Sequence, residues 1–276
     1  MQTLRDTSRH DVKTLAAMAA GALLLSLAGC SAPNLEAQVD EAAKPDTCES
    51  AYESAVLGRN AMAAGRPLMD RYLNALIASS SWSKVATSCP SRAAEGVVHA
   101  AQSSYMAQQF ASRLGLSPAS APTVDFGTLV KLDMDTDTLT RIVLEEDRAG
   151  FSVGVLAARG VPDATLAASD AHKTAAQRLF SLSGAGSDPR QKVYAVDDLI
   201  ANPQTTQDPA TKLDTPTIAA IEMNCARSYL TALTDSKHIS KNTLAWLADT
   251  AKARVWHAYE LGYPLLDEAM LAQSAE

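Results

Sequence analysis

Apolar residues recur at spacings of three and four along most of the chain, a pattern typical of amphipathic helices. The pattern predicts three helices in the N-terminal half, over 46–64, 66–80 and 90–115. It predicts four more helices further along, over about 137–159, 163–183, 214–235 and 240–262. Pro and Ser interrupt the pattern at 115–123, so we expect a small N-terminal helical unit (47–118) and a second domain (125–265).

The connections in the second domain indicate how its four helices are arranged. Only a few residues join the first helix to the second and the third to the fourth, which predicts two antiparallel hairpins. The segment 184–213 between the hairpins is long enough to cross the length of a 20-residue helix, about 30 Å. The expected fold is therefore all-α, with a ferritin-like four-helix bundle that has one long crossover.

The beginning of the chain has the features of an export signal. Basic residues within 1–14 precede an uncharged apolar run over 15–27, which is too short to span a hydrocarbon core of about 30 Å as a helix. The sequence Leu27-Ala-Gly-Cys30 then resembles the lipobox of bacterial lipoproteins. That resemblance implies cleavage before Cys30 and a diacylglyceryl group on its thiol.

We therefore expect a lipoprotein signal peptide at 1–29 and a flexible tether at 30–46 that is rich in Ala and contains two Pro. The protein would be extracytoplasmic and held at the cell membrane through lipidated Cys30. A plain secretory peptide, or an apolar first helix in a cytosolic protein, would be the alternatives.

The charge and composition exclude some classes of function. The formal net charge of the 276 residues is −7, so the chain lacks the basic character of a nucleic-acid-binding protein. The sequence shows no catalytic constellation and no cofactor motif, which favours a non-enzymatic protein without a cofactor. The expected partners are the membrane and an unknown envelope protein or small-molecule ligand.

Three cysteines follow Cys30, which is an odd number for an exported protein. Cys48 and Cys89 both lie in the N-terminal region, and we predict a disulfide between them. Cys225 lies in the apolar stripe of a predicted helix, where an unpaired Cys usually behaves as a small buried hydrophobic residue.

Parts of the second domain are similar to a known family. The run from Leu144 to Arg159, followed by Ala168-Ser-Asp-Ala-His172, resembles the first hairpin of a ferritin-like domain of unknown function found in bacterial lipoproteins. Val193-Tyr-Ala-Val196 and the stretch from Ile218 to Trp256 are similar to its later parts. The resemblance covers about 125–265 and implies a ferritin-like fold, without an established activity.

A ferritin-like di-metal site needs a Glu from two helices and a Glu-x-x-His pair from each of the other two. Glu146 and Glu222 occupy apolar stripes, as inward ligands would. His172 and His257, however, are preceded at the required spacing by Ser169 and Arg254 instead of Glu. We therefore expect no metal site, and interpret the two buried carboxylates as ion-pair partners of an Arg, with three candidates: Arg148, Arg178 and Arg254.

The sequence thus favours a lipid-anchored binding or scaffolding protein at the cell envelope. One alternative is a metal-binding or iron-handling protein that uses Glu146, His172, Glu222 and His257 in an irregular site. Another is a small-molecule binder with a pocket near Trp256. Packing within the bundle is the simpler explanation for the aromatic residues of the last helix, which are Trp246, Trp256 and Tyr259.

Overall fold

A computed structural model describes residues 46–235 and 239–265, and it confirms the predicted all-α class. The helices are α1 (Thr47–Asn60), α2 (Leu68–Ser88), α3 (Ala93–Arg113), α4 (Thr136–Ala158), α5 (Leu166–Ser183), α6 (Asp197–Ala201), α7 (Thr217–Asp235) and α8 (Lys241–Glu260). A single 3₁₀ turn, Pro90–Arg92, precedes α3, and two short strands, β1 (Thr205–Gln207) and β2 (Asp214–Pro216), precede α7. Among these helices, none has the length and apolar character needed to cross a membrane. The predicted signal peptide, Cys30 and the tether up to residue 45 lie outside the described residues.

Side-chain caps explain why three of the long helices begin where they do. Asp135, Thr165 and Ser240 each accept a hydrogen bond from the backbone N–H three residues later. These contacts satisfy amide groups that have no partner inside the helix. At the other end of α5, Gly184 adopts a left-handed conformation with φ 64°, which glycine reaches without a steric penalty.

Two helical hairpins form the core of the part of the chain that follows the linker. Helix α4 packs against α5, α7 packs against α8, and α4 also packs against α7. The ion pair between Arg141 and Asp235 joins the beginning of α4 to the end of α7, so these two helices run antiparallel. The buried apolar residues of α4, α7 and α8 form one continuous cluster that includes Ile142, Met223 and Leu247.

The crossover between the hairpins contains more structure than the sequence predicts. It includes α6 and β1, and β1 pairs antiparallel with β2 immediately before α7. The sequence predicts that the third helix of the second domain begins near 214. This is three residues too early, because Asp214–Pro216 form β2. Between the strands, the fully buried Asp208 accepts hydrogen bonds from Arg227 of α7 and from Tyr263, which fixes the crossover against the bundle.

The N-terminal helices α1 to α3 are joined to one another by a disulfide and by close packing. Cys48 at the start of α1 and Cys89 at the end of α2 form the disulfide that the sequence predicts. Gly96 of α3 lies so close to α2 that an added Cβ would be 2.5 Å from the backbone nitrogen of Ala86. Only glycine permits this approach without a shift of the backbone.

Helix α3 also packs against α7 and α8. Val97 and Val98 of α3 belong to the same buried apolar cluster as the hairpin residues. The segment 114–135 between α3 and α4 contains neither helix nor strand, in agreement with the predicted linker at 115–123. The division into two domains stays a prediction, while the helices on both sides of the linker share one core.

Candidate functional site

Four ionisable residues meet inside the bundle, one from each long helix of the two hairpins. They are Glu146 of α4, His172 of α5, Glu222 of α7 and Arg254 of α8, and we call them the core ionic cluster. Glu146, His172 and Glu222 are each at most 1% exposed. Buried charges are costly unless they are paired and hydrogen-bonded, so the contacts within this cluster determine what it can do.

His172 bridges the two carboxylates. Its Nδ1 lies 2.7 Å from Oε2 of Glu146, and its Nε2 lies 2.7 Å from Oε1 of Glu222. A carboxylate oxygen can only accept a hydrogen bond, so both ring nitrogens must donate and the ring is an imidazolium. Burial and the charge of Arg254 lower the pKa of His172, but Glu222 and Glu146 outweigh them and raise it to about 9.

Arg254 forms the second bridge. Its Nη2 donates to both oxygens of Glu146, at 2.9 Å and 2.8 Å, and its Nη1 lies 3.7 Å from Oε2 of Glu222. Burial raises the pKa of Glu146, but Arg254 and then His172 reverse this and lower the pKa to about 2. The pKa of Glu222 also lies well below its ordinary value, because His172 and Arg254 outweigh its burial. Two carboxylates and two cations therefore leave the cluster with no net charge.

Three further residues surround the cluster. Tyr229 donates its hydroxyl hydrogen to Oε1 of Glu146 at 2.6 Å, and His257 lies with Nδ1 3.2 Å from Oε1 of Glu222. Burial, followed by the charge of Glu146, raises the pKa of the Cys225 thiol well above its ordinary value, so this thiol stays protonated at neutral pH. Oε2 of Glu222 is buried and has no hydrogen-bond partner among the described residues.

The cluster does not fit a di-metal site. Glu146, His172 and Cys225 place one potential ligand atom each within 4.8 Å of one another. Both nitrogens of His172 already face carboxylates, however, and Arg254 supplies the positive charge that a cation would bring. A neutral imidazole and a thiolate would be needed as ligands, and the electrostatics of the cluster favour neither.

The structure also tests the predicted ion pairs. The four residues of the alternative metal site, Glu146, His172, Glu222 and His257, do lie together. Arg254 is an ion-pair partner of both buried Glu, as the sequence suggested. Arg148 and Arg178 are not, because Arg148 pairs with Glu145 of its own helix, and Arg178 donates to the backbone oxygen of Leu129.

The buried ion pair of Arg227 and Asp208 escaped the sequence analysis. Arg227 of α7 is 6% exposed and pairs with Asp208, although nothing in the helical periodicity marks either residue as buried.

The aromatic residues Trp256 and Tyr259 of α8 are buried, and both rings contact Tyr105 of α3. Their role in packing is therefore confirmed.

The stability of the fold should depend on pH through His172. Because its folded pKa of about 9 lies above the ordinary 6.5, its contribution is complete below pH 6.5 and is lost as the pH rises towards 9. We expect the free energy of unfolding to fall by about 1.4 kcal/mol per pH unit over this range. Urea unfolding followed by circular dichroism between pH 6 and 9 measures this slope.

The variant His172→Gln is the control for this prediction, because it removes the titrating group and keeps a polar side chain. It should be less stable at pH 6 and should lose the slope between pH 6.5 and 9. Equal slopes for the two proteins would show that His172 does not carry the pH dependence.

The similarity of 125–265 to a ferritin-like domain of bacterial lipoproteins stays a prediction from the sequence. Comparison of the chain with protein-family models, with curated proteins and with solved structures found no match.

Proposed function

We propose that the protein is a lipid-anchored extracytoplasmic protein whose ferritin-like four-helix bundle serves binding or scaffolding at the cell envelope. The sequence Leu27-Ala-Gly-Cys30 supports the anchor. The disulfide between Cys48 and Cys89 is in keeping with an oxidising compartment, where such bonds persist. The core ionic cluster favours a role for the bundle other than metal handling.

The observation that carries the binding role over metal chemistry is the position of Arg254. In a ferritin-like bundle each helix directs ligands towards the centre, where metal ions balance the carboxylates. In this chain a guanidinium on α8 contacts Glu146 and lies near Glu222, so the two carboxylates are balanced without a metal. The bundle then has a structural centre, and its function would lie on its surface.

The anchor is tested with the full chain expressed in a bacterial host. We expect the protein in the membrane fraction, with a mass that matches cleavage before Cys30 and addition of acyl chains. The variant Cys30→Ser should keep its signal sequence and carry no lipid, whereas the adjacent variant Ser31→Ala should be processed normally. Identical processing of Cys30→Ser and the unmodified protein would contradict the anchor.

Metal handling is the second candidate, because Glu222 keeps one buried oxygen without a hydrogen bond beside His172 and His257. The test is elemental analysis of the full chain, purified in detergent after growth with added iron, manganese and zinc. We expect no stoichiometric metal. One metal per chain that is lost in both Glu146→Gln and Glu222→Gln would establish a metalloprotein and overturn the proposal.

A further inference from the structure

A cleft of about 500 Å³ lies between α4 and α7. Residues at successive turns of both helices form its walls, and Pro209 and Ala210 of the crossover also line it. Apolar wall atoms come from residues such as Leu144 and Ile221. A cleft of this volume matches the size of small-molecule sites in proteins.

The charges along this cleft are unusual for the chain. Arg141, Arg148 and Arg227 line it together with only one acidic residue, Glu145, although the whole chain has a formal net charge of −7. Arg148 pairs with Glu145 at 2.7 Å, whereas the carboxylate of Asp235 lies 3.8 Å from Arg141. The side chains of Arg141 and Arg148 are 56% and 48% exposed, so their guanidinium groups are accessible to a ligand.

Arg227 is the buried member of this set. Asp208, Tyr263 and Asn224 accept hydrogen bonds from its two terminal nitrogens. Its Nε, in contrast, is buried and lacks a hydrogen-bond partner within the described ranges 46–235 and 239–265. A buried donor without an acceptor is costly in a folded protein, and the residue that carries this one also lines the cleft.

We propose that the cleft binds a small organic anion, with its carboxylate or phosphate group at the arginines and an apolar body against Leu144, Ile221 and Pro209. Guanidinium groups match the planar geometry of carboxylates and phosphates, and apolar walls with a few convergent polar groups are typical of ligand sites. This inference rests on the proposed binding function, to which it assigns a site and a ligand class.

The test uses the full chain in lipid nanodiscs and three fluorinated aromatic probes of similar size, followed by ¹⁹F NMR titration. The probes are 4-fluorobenzoate, 4-fluorophenylphosphonate and the neutral 4-fluorobenzamide. We expect saturable binding of at least one anion, about tenfold tighter than that of the amide, because hydrogen bonds to charged groups stabilise more than neutral ones. Tighter binding of the benzoate indicates a carboxylate ligand, and tighter binding of the phosphonate indicates a phosphate.

Two variants test the position of the site without disturbing the core. Arg141→Gln and Arg148→Gln change partly exposed side chains, and each should weaken anion binding about tenfold. Arg159→Gln changes an exposed arginine at the end of α4 that does not line the cleft, and it should bind as the unmodified protein does.

Equal affinity for anions and amide, or unchanged affinity in Arg141→Gln and Arg148→Gln, would overturn the inference. Lipid attachment and metal content are measured on the same preparations. A lipidated, metal-free protein without anion binding would therefore refute only the proposal that the cleft binds an anion. A metal-loaded or unlipidated protein would refute the proposed function.

Discussion

Replacement of Arg254 by methionine should lower the free energy of unfolding by about 3–5 kcal/mol, since it removes one partner of a buried ionic network. The unmodified cluster has two carboxylates, the imidazolium of His172 and the guanidinium of Arg254. Without Arg254, one buried negative charge is left uncompensated between α4 and α7. Urea unfolding at pH 7, followed by circular dichroism, measures the difference.

Two further variants separate charge from the loss of a large side chain. Arg159→Met is the same substitution at an exposed arginine, and it should change stability by no more than about 0.5 kcal/mol. The double variant Glu146→Gln, Arg254→Met restores neutrality, and it should recover at least about 1 kcal/mol relative to Arg254→Met. A small loss in Arg254→Met, or no recovery in the double variant, would contradict the role we assign to this ion pair.

The helices of this protein were predictable because their buried faces are formed by residues close in sequence. Glu146 and Glu222 could be identified as inward-facing because they interrupt apolar stripes that have helical spacing. The apolar stripe does not identify the ion-pair partner of either Glu. That partner depends on how helices far apart in sequence approach each other. Arg148, three residues from Glu145, is thus satisfied locally, and Arg254, more than a hundred residues away, is the partner of Glu146.

The structure of the crossover could not be predicted from the sequence. Its strands β1 and β2 have only three residues each, too few for an alternating pattern to appear. The burial of Asp208 depends on Arg227, which reaches it from α7, and on Tyr263 beyond α8. Such a contact depends on tertiary structure, so no local pattern in the crossover predicts it.

Loss of the disulfide between Cys48 and Cys89 should lower the free energy of unfolding by about 4 kcal/mol, in the chain-entropy model for their sequence separation of 41. This loss is similar in size to the one expected for Arg254→Met. The expected mechanism is greater freedom of the unfolded chain, because the disulfide closes a loop that contains α1 and α2. The double variant Cys48→Ala, Cys89→Ala should therefore unfold at a lower urea concentration. Its α1 helix should also lose protection in hydrogen exchange before α4 and α7 do.

Reduction offers a matched test on the unmodified chain. Added dithiothreitol should shift the urea midpoint of the unmodified protein to that of the double variant, and it should leave the double variant unchanged. Cys225 is unpaired and buried, so reduction has no further bond to break among the described residues. An unchanged midpoint after reduction would show that α1 is held by its apolar contacts with α2, through Ala55 and Trp82, without a measurable contribution from the disulfide.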